Sequence, residues 1–578
     1  MRSGSAGLRP VTAKTLAVMK RLLLTLGVAA GVAIVVPASA APSKIDGSVT
    51  VSYIVPTRDA QIYLEVVEPT AGGHVVPAPV ILTYSPYSVL GRNGDASHWV
   101  PMGYARAYAD VIGTGNSGGC YDYGGDREKR TGHDVVEWIA RQQWTTGKVG
   151  MLGGSYDGTT QYATAVTHPK GLVTIVPEAA ISRWYDYAYA GGIRYTDTDE
   201  DFGNEGPGAA SDEGVDTPLG FDYGFAIPPP TDVQDADWQE RVASTIRPCD
   251  ELAHTGEGYN LTPDYDGFWM DRDYVHLLPT VHIPVLVASN WGDWNVKQKN
   301  GWDAYHALTH SICRKLYMGT RWAGHGVPPG QAYTDTVDHW FAHWLKGVNN
   351  DVQNMPAVTS ETSDDAGPIG YISGAEPKPV TQRLYLGSVG GAWMLTPKAT
   401  KGTSVASFVQ TGTNTEAYAA THPFAGGNYL AFASAPLTHD VRVFGRPVLH
   451  LWSTTQRQWV TITPSLLDFD PAKYSGSGAA TQASDTSAAV AMTRGWLDSR
   501  YRDGLDHEVL ATPGKPLDTN VALFPTDYTV RKGHQLVLLV QTEDLDWAIA
   551  KPYPTVSDPT VTIDWSKAQS WLDLPLVR

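Results

Sequence analysis

The chain has 578 residues, of which 42% are hydrophobic and 18% charged, and a formal net charge of −17. This length exceeds what one hydrophobic core usually supports, so the sequence predicts several domains. The composition excludes an intrinsically disordered protein. The acidic balance argues against nucleic acids and anionic membranes as partners, because like charges repel.

The first 40 residues have the features of an export signal. They contain five cations and no acidic residue. Basic residues over 14–21 precede an apolar run over 22–36, which ends in the small residues Ala38-Ser39-Ala40. This order is typical of a signal peptide with an A-x-A cleavage site. We therefore expect a mature protein that is secreted or held at the cell surface, without stable membrane association; an uncleaved anchor is the alternative.

Three cysteines, Cys120, Cys249 and Cys313, are too few for a disulfide framework. An exported protein can form one bridge from them and keep one free thiol. Cys120 and Cys249 both lie in predicted loops, which makes them the first pair to expect, although the connectivity stays open. No two of the cysteines have the spacing of a metal site.

The chain after the signal begins with residues 45–70, whose alternating apolar and polar side chains predict an antiparallel hairpin. The next predicted elements are strands over 80–83, 104–112 and 172–176 and a helix over 133–143. Strands that alternate with helices indicate a parallel sheet with both faces covered. Because ligands bind beyond the carboxyl ends of such strands, we expect the functional loops at that edge.

The sequence KVGMLGGSYDGTTQ over 148–161 is the centre of this region. A short apolar run ends in glycines, Ser155 follows, and the next residues favour a helix. Such a strand, turn and helix expose a serine hydroxyl as a nucleophile and place a helix N-terminus where oxyanion charge develops. The next glycine lies three residues after the serine instead of two, so the strict G-x-S-x-G pattern is absent. A glycine-rich surface turn is the alternative.

A serine nucleophile needs a base, and the base needs an acid that orients it. In α/β-hydrolases these residues follow in the order Ser, Asp or Glu, His on loops after strands. Asp293 follows a predicted strand over 284–288, and His325 follows another over 312–318, between two glycines that leave its ring reachable. Rival histidines precede a strand or lie on a predicted helix over 335–348: His310, His339 and His343. The alternative for Asp293 is a helix N-cap.

These patterns predict an α/β protein with an α/β-hydrolase core, an inserted mainly helical cap and a C-terminal all-β jelly-roll domain. The cap is expected where Tyr, Trp, Asp, Gly and Pro interrupt the α/β pattern, and the jelly roll where short strands recur between turns. The expected boundaries are 1–40 for the signal peptide, 41–177 and 279–365 for the core, 178–278 for the cap and 366–578 for the jelly roll.

The sequence GGSYDG resembles the G-x-S-Y-x-G turn of the Xaa-Pro dipeptidyl-peptidase and cocaine-esterase-like serine hydrolases, in which glycine at the third place after serine is usual. VIGTGNSGG over 111–119 and GWLDSRYRD over 495–503 are similar to further stretches of that family. The resemblance covers nearly the whole chain after the signal. It implies that Ser155, Asp293 and His325 are catalytic.

The resemblance also implies an oxyanion hole and a reaction. The loop SPY over 85–87 is similar to the family's N-P-Y, so the Tyr87 hydroxyl is expected to bind the oxyanion together with the backbone N–H of Tyr156. Three stretches resemble the peptidase branch more closely: ISRWYDYAYAGG over 181–192, GDWNVK over 292–297 and HWFAHWLKGVNN over 339–350. The implied activity is release of N-terminal dipeptides with proline in the second position.

A substrate with proline at the cleaved position presents a compact apolar ring, which aromatic side chains would hold. The aromatic candidates are Trp184, Tyr185, Trp291 and Trp294; for each of them taken alone, a place in the core is the more common role. The free amine of a peptide calls for a carboxylate in a partly dry site, where pairing is stronger than in water. The acidic candidates are Glu178 and Asp186.

This chemistry requires no metal or organic cofactor. The expected partner is a peptide or small ester substrate, and a homodimer stays open. Two alternatives to the peptidase remain. One is an esterase of the cocaine-esterase type that hydrolyses carboxylic or acyl-amino-acid esters with the same residues. The other is a cell-surface binding protein in which the hydrolase is vestigial.

Overall fold

The computed structural model describes residues 44–87, 94–194, 247–248, 263–400, 405–409, 416–474, 488–542, 544, 547, 560–566 and 569–577. The expected signal peptide over 1–40 lies outside these ranges, and so does most of the expected cap, over 195–246 and 249–262. The described residues from Ile45 onward belong to one compact unit. Among the residues described, no helix combines the length and the apolar character needed to span a bilayer.

The part of the chain up to Gly374 alternates strands with helices. Its strands are β1 (Gly47–Pro56), β2 (Gln61–Ala71), β3 (His74–Val75), β4 (Ala78–Ser85), β5 (Ala105–Asp110), β6 (Cys120–Tyr121), β7 (Thr145–Gly154), β8 (Leu172–Glu178), β9 (Tyr189–Ala190), β10 (Ile193–Arg194), β11 (Arg247–Pro248), β12 (Val285–Asn290), β13 (Arg314–Gly319), β14 (Val358–Asp364) and β15 (Gly367–Gly374). Its helices are α1 (Ala96–Trp99), α2 (Asp126–Ala140), α3 (Tyr156–Ala165), α4 (Trp184–Ala188), α5 (Gly267–Asp271), α6 (Gln298–Ala307) and α7 (Gln331–Lys346), with 3₁₀ turns at Leu278–Thr280 and Val352–Asn354.

The strands and helices predicted for the two core segments are all present, and the largest difference concerns α2. This helix begins at Asp126, although its apolar spacing predicted a start at residue 133. Its first turns bury the polar side chains of Glu128, Lys129 and Thr131. Apolar periodicity therefore does not mark where the helix begins.

The strands form a continuous mixed sheet in the order β1-β2-β5-β4-β7-β8-β12-β13-β14-β15. From β5 to β14 in this order the strands are parallel, while β1, β2 and β15 are antiparallel at the two margins. The parallel sheet predicted from the sequence is thus confirmed. Its topology brings the carboxyl ends of β4, β7, β12 and β13 to one edge, where ligands bind in such sheets.

Successive residues of the central strands face opposite sides, and both sides are buried. In β12, Val285 and Val287 pack into the core on the side of α2, α3 and α6. Leu286 and Ala288 pack on the other side, against Trp340 and neighbouring residues of α7. This arrangement explains why the central strands read as continuous apolar runs.

The C-terminal part is built almost entirely of strands. They are β16 (Val380–Val389), β17 (Ala392–Thr396), β18 (Val405–Val409), β19 (Tyr429–Ala433), β20 (Val441–Gly445), β21 (Val448–Thr455), β22 (Thr461–Phe469), β23 (Ala489–Arg494), β24 (Leu497–Asp498), β25 (Pro516–Ala522), β26 (Thr526–Val530), β27 (Gln535–Gln541), β28 (Thr560–Asp564) and β29 (Trp571–Val577). The short helix α8 (Glu416–Thr421) and the 3₁₀ turn Ser499–Tyr501 interrupt them. Pairing is mostly antiparallel, for example β19 with β27 and β22 with β27, around a separate apolar core. The predicted all-β character of this part is confirmed.

Candidate active site

Ser155 lies at the junction of β7 and α3, the serine turn, where its backbone adopts φ 60° and ψ −127°. A positive φ is unusual for a residue with a side chain and is typical of a strained functional turn. A Cβ on Gly158 would lie 2.7 Å from the Glu178 carbonyl oxygen, and one on Gly153 would lie 2.5 Å from Asp157 Cβ. The Ser155 N–H donates to that Glu178 oxygen at 2.9 Å. Close packing therefore requires the glycine at the third place after the serine.

The Tyr87 hydroxyl, on the loop after β4, lies 3.3 Å from Ser155 Oγ. Burial raises the pKa of Tyr87 well above its usual range, and the negative charge of Asp157 raises it further. The phenol therefore keeps its proton and can donate it. The backbone N–H of Tyr156, the first residue of α3, also interacts with the Tyr87 oxygen. Two hydrogen-bond donors thus lie beside the serine, one of them at a helix N-terminus.

Asp293 and His325 come from the loops after β12 and β13, here named the acid loop (291–297) and the histidine loop (320–328). Their side chains are hydrogen-bonded, with His325 Nδ1 3.1 Å from Asp293 Oδ2. Asp293 Oδ1 accepts the backbone N–H of Val296 at 3.0 Å. The Asp293 side chain is fully buried, and that of His325 is 17% exposed. An ionised carboxylate only accepts hydrogen bonds, so Nδ1 of a neutral ring carries the proton and Nε2 is the basic atom.

Two close approaches hold these loops together and beside the serine turn. A Cβ on Gly292 would lie 2.1 Å from the Arg321 carbonyl oxygen, so the acid loop packs directly on the histidine loop. A Cβ on Gly154 would touch Val327 Cγ1 at 3.9 Å. The histidine loop therefore adjoins the residue that precedes the serine.

The four aromatic candidates for a substrate pocket lie in packed surroundings. Trp184, Tyr185 and Trp291 are buried in the main core. The Trp184 ring centroid lies 5.0 Å from that of Tyr156, so this tryptophan packs against the serine turn. Trp294 packs against Phe524 of the C-terminal part, with ring centroids 5.8 Å apart. The three buried rings therefore present no exposed wall to a substrate.

The two acidic candidates for the substrate amine already have partners. Asp186 pairs with Arg183 at 3.2 Å and also with Lys299. Glu178 accepts a hydrogen bond from the Tyr333 hydroxyl of α7 at 2.5 Å. Burial raises the pKa of Glu178 to about 7, while the bond from Tyr333 opposes that shift. A substrate amine would have to displace a cation at Asp186 or a hydroxyl at Glu178.

Two acidic residues near the serine turn, Glu128 of α2 and Asp157 of α3, are not indicated as site residues by any sequence pattern. Glu128 is buried and accepts a hydrogen bond from the Tyr156 hydroxyl at 2.8 Å. Burial raises the pKa of Glu128 to about 7 and that of Asp157 to about 7 as well. Glu128 belongs to the run DREKR, whose composition is typical of an exposed helix face. No signal in the sequence distinguishes it from a surface acid.

The cysteines agree with the expected pair as far as they are described. Cys120 is disulfide-bonded, and Cys313 is a free thiol. Cys249, the expected partner of Cys120, lies outside the described residues.

Within the described ranges, one group of side chains could hold a metal ion. It comprises Asp365, Asp468 and His534 of the C-terminal part, whose ligand atoms lie within 4.8 Å of one another. Lys473 pairs with Asp365 at 2.7 Å, and His534 pairs with Asp468 at 2.8 Å. Each of the two carboxylates therefore already has a basic partner.

Two family models match successive parts of the chain. The model described as X-Pro dipeptidyl-peptidase (S15 family) matches residues 59–325. The model described as X-Pro dipeptidyl-peptidase C-terminal non-catalytic domain matches residues 350–563. The first match contains the serine turn, the acid loop and His325, and the second contains most of the strand-rich part.

Bacterial relatives are similar over most of the chain. The "Putative Xaa-Pro dipeptidyl-peptidase" of Streptomyces avermitilis is 29% identical over 566 residues, which cover 86% of this chain and 78% of the relative. The Xaa-Pro dipeptidyl-peptidase of Ligilactobacillus salivarius is 25% identical over 525 residues, which cover 78% of this chain and 60% of the relative. Both similarities include the α/β part and the C-terminal part.

Solved structures share the fold. A CocE/NonD family hydrolase from Staphylococcus aureus superposes with a TM-score of 0.69 at 17% identity, over 91% of this chain and 94% of that one. An α-amino acid ester hydrolase superposes with a TM-score of 0.66 at 19% identity, over 93% of this chain and 98% of that one. The predicted fold class, an α/β-hydrolase followed by a strand-rich domain, is confirmed. The two family models and the relatives together match both parts of the chain to the X-Pro dipeptidyl-peptidase (S15) family, and the protein is a serine hydrolase of the peptidase type.

Proposed function

We propose that the protein is an exported serine peptidase that removes Xaa-Pro dipeptides from the free N-termini of peptides. The observation that carries the proposal is the pairing of His325 with Asp293 at 3.1 Å on loops that adjoin the serine turn. The names of the relatives support the peptidase reaction. The signal-like residues over 1–40 support export.

Acylation begins when Ser155 Oγ attacks the carbonyl carbon of the substrate's proline. His325 Nε2 takes the hydroxyl proton, and Asp293 stabilises the imidazolium and holds its tautomer. When the tetrahedral intermediate collapses, the C–N bond breaks and His325 gives the proton to the leaving amine. The dipeptide then remains bound as an ester of the serine.

The oxyanion of each tetrahedral intermediate is bound by the Tyr87 hydroxyl and the Tyr156 N–H. Each donor of this kind typically contributes about 3 to 4 kcal/mol to stabilisation of the transition state. For deacylation, His325 takes a proton from water as the water oxygen attacks the ester carbonyl. Return of that proton to Ser155 releases the dipeptide and restores the enzyme.

The test compares hydrolysis of a Gly-Pro anilide with hydrolysis of a short-chain aryl ester by the purified protein. We expect efficient cleavage of the anilide, abolished in Ser155→Ala. Anilide turnover lower than ester turnover by orders of magnitude would favour the ester-hydrolase alternative. If a fluorophosphonate failed to label Ser155, the binding-protein alternative would be favoured.

A further inference from the structure

Asn290, the last residue of β12, is buried, and its side-chain amide contacts the histidine loop. Its Nδ2 donates to the carbonyl oxygens of Gly324 at 3.2 Å and Gly326 at 3.1 Å, one on each side of His325. The Val327 carbonyl oxygen follows at 3.4 Å. If the amide were flipped, Oδ1 would face these three carbonyl oxygens, which cannot donate hydrogen bonds to it. The hydrogen-bond pattern therefore assigns Nδ2 to the side that faces the histidine loop.

The backbone of the same residue holds the acid loop. The Asn290 carbonyl oxygen accepts the backbone N–H of Asp293 at 3.2 Å. Asn290 therefore contacts both halves of the Asp293–His325 pair, one through its backbone and the other through its side chain.

The surroundings of the side-chain amide indicate why position 290 is an asparagine. Asn290 Oδ1 is buried and has no hydrogen-bond partner in the described part of the chain. An unpaired buried oxygen is costly, and an apolar side chain of similar size would avoid that cost. A Cβ on Gly319 would lie 2.2 Å from this oxygen, so the amide is wedged between the end of β13 and the histidine loop. The favourable polar contacts of the side chain are therefore the hydrogen bonds that Nδ2 donates.

We propose that Asn290 is a positioning residue that holds the histidine loop in the place that the Asp293–His325 hydrogen bond requires. The inference rests on the proposed function, which makes His325 the base. Glycines on both sides of His325 give its backbone wide conformational freedom, so the loop needs an external constraint. Asn290 supplies it through two hydrogen bonds and does not touch the substrate.

The test removes the donors of Nδ2. In Asn290→Ala and the nearly isosteric Asn290→Asp, we expect kcat for a Gly-Pro anilide to fall about 10- to 100-fold, because displacement of a catalytic group by 1 Å has an effect of this size. KM should stay within about twofold, since substrate binding is not altered. The low-field proton NMR signal of the Nδ1–H shared by His325 and Asp293 should be lost. Gly319→Ala, which pushes a methyl group against Oδ1, should produce the same pattern.

The matched control is Asn300→Ala. Asn300 is also buried, and its Oδ1 accepts the backbone N–H groups of Ser182 at 3.0 Å and Arg183 at 3.1 Å. We expect this variant to lower Tm without the loss of kcat per folded molecule or of the NMR signal. Wild-type kcat and an intact signal in folded Asn290→Ala would overturn the inference. An active Ser155→Ala would instead overturn the proposed function.

Discussion

The Nδ1 atom of His325 lies 3.1 Å from Asp293 Oδ2, although the two residues are 32 positions apart in the chain. They meet because β12 and β13 are parallel neighbours, so the loops that follow them leave the same edge of the sheet. Two strands further along that edge, β7 ends at Gly154, immediately before Ser155. The proposed mechanism depends on this common edge.

Loss of a member of the proposed triad should abolish activity. We expect Ser155→Ala to lower kcat by about 10⁶-fold and Asp293→Asn by about 10⁴-fold, as in serine-protease triads, because the residues act as a unit. Steady-state hydrolysis of a Gly-Pro anilide measures both effects. His339→Ala is the control, since His339 is exposed on α7 and should keep wild-type activity. Activity in Asp293→Asn equal to that of this control would contradict the assignment.

Removal of the Tyr87 hydroxyl should act on the transition state alone. We expect Tyr87→Phe to lower kcat by about 10²- to 10³-fold with little change in KM, because an oxyanion donor is lost and substrate contacts are kept. Tyr156→Phe is the comparison, since its hydroxyl bonds Glu128, whereas the proposed oxyanion donor of this residue is its backbone N–H. A loss in Tyr156→Phe as large as that in Tyr87→Phe would argue against this division of roles.

The buried acid Glu128 should make stability depend on pH. Burial raises its pKa from 4.5 to about 7, so the folded protein binds this proton more tightly than the unfolded chain. The contribution to stability is therefore present below about pH 4.5 and is lost as the pH rises through about 7. A shift of this size corresponds to up to about 3 kcal/mol. We expect Tm to fall less between pH 5 and pH 8 in Glu128→Gln than in the wild type.

Glu137→Gln is the control for this measurement, because Glu137 lies on the same helix but near the surface. Hydrogen bonds from Lys170 N–H and Arg141 lower its pKa, so it does not titrate between pH 5 and pH 8. If calorimetry finds the same pH dependence of Tm in Glu128→Gln as in Glu137→Gln, the buried acid does not titrate as expected.

Trp294 should couple the C-terminal domain to catalysis. Its ring stacks on Phe524, with centroids 5.8 Å apart, and lies 4.1 Å from the Arg494 guanidinium. Trp294 directly follows Asp293 in the chain, so these contacts connect the acid loop to the C-terminal domain. We expect Trp294→Ala to destabilise the protein by up to about 3 kcal/mol through the lost packing and to lower kcat as well. Trp393→Ala removes a ring that packs on Trp565 within the C-terminal domain and should lower Tm only. Equal kcat in the two folded variants would contradict the coupling.

Signal cleavage should create an N-terminus that the enzyme itself can cleave. Cleavage after Ala40 creates an N-terminus that reads Ala41-Pro42-Ser43, which is itself an Xaa-Pro sequence. Lys44, the next residue, is exposed, so a second enzyme molecule can approach it. We expect the secreted wild type to begin at Ser43 and secreted Ser155→Ala to begin at Ala41, as measured by mass spectrometry.

Addition of active enzyme should convert the Ser155→Ala N-terminus to that of the wild type. A wild-type protein that hydrolyses Ala-Pro anilide yet keeps Ala41 would disprove this trimming without affecting the proposed activity. Retention of the residues before Ala41 would instead contradict cleavage at the expected signal site.

The sequence predicted the elements that carry the site because their signals are local. Apolar strand runs, glycines and positions after strands sufficed to select Ser155, Asp293 and His325, whereas Tyr87 was implied by the resemblance of the loop over 85–87 to a known family. The structure places Tyr87 against Ser155 and Asp293 against His325. The start of α2 could not be predicted, because its first turns bury the polar residues Glu128 and Lys129. Buried polar residues do not produce the apolar periodicity from which a helix is predicted.

The sequence by itself determined the order of strands and helices and the residues at the strand ends, since these depend on side-chain periodicity and backbone preference along the chain. Only the tertiary structure decided the partners of each side chain. Asp186 meets Arg183, Glu178 meets Tyr333, and Asn290 meets the histidine loop. Except for Arg183 and Asp186, these contacts join residues that are distant in sequence. They depend on how the strands and helices pack against one another, which cannot be predicted from a local sequence pattern.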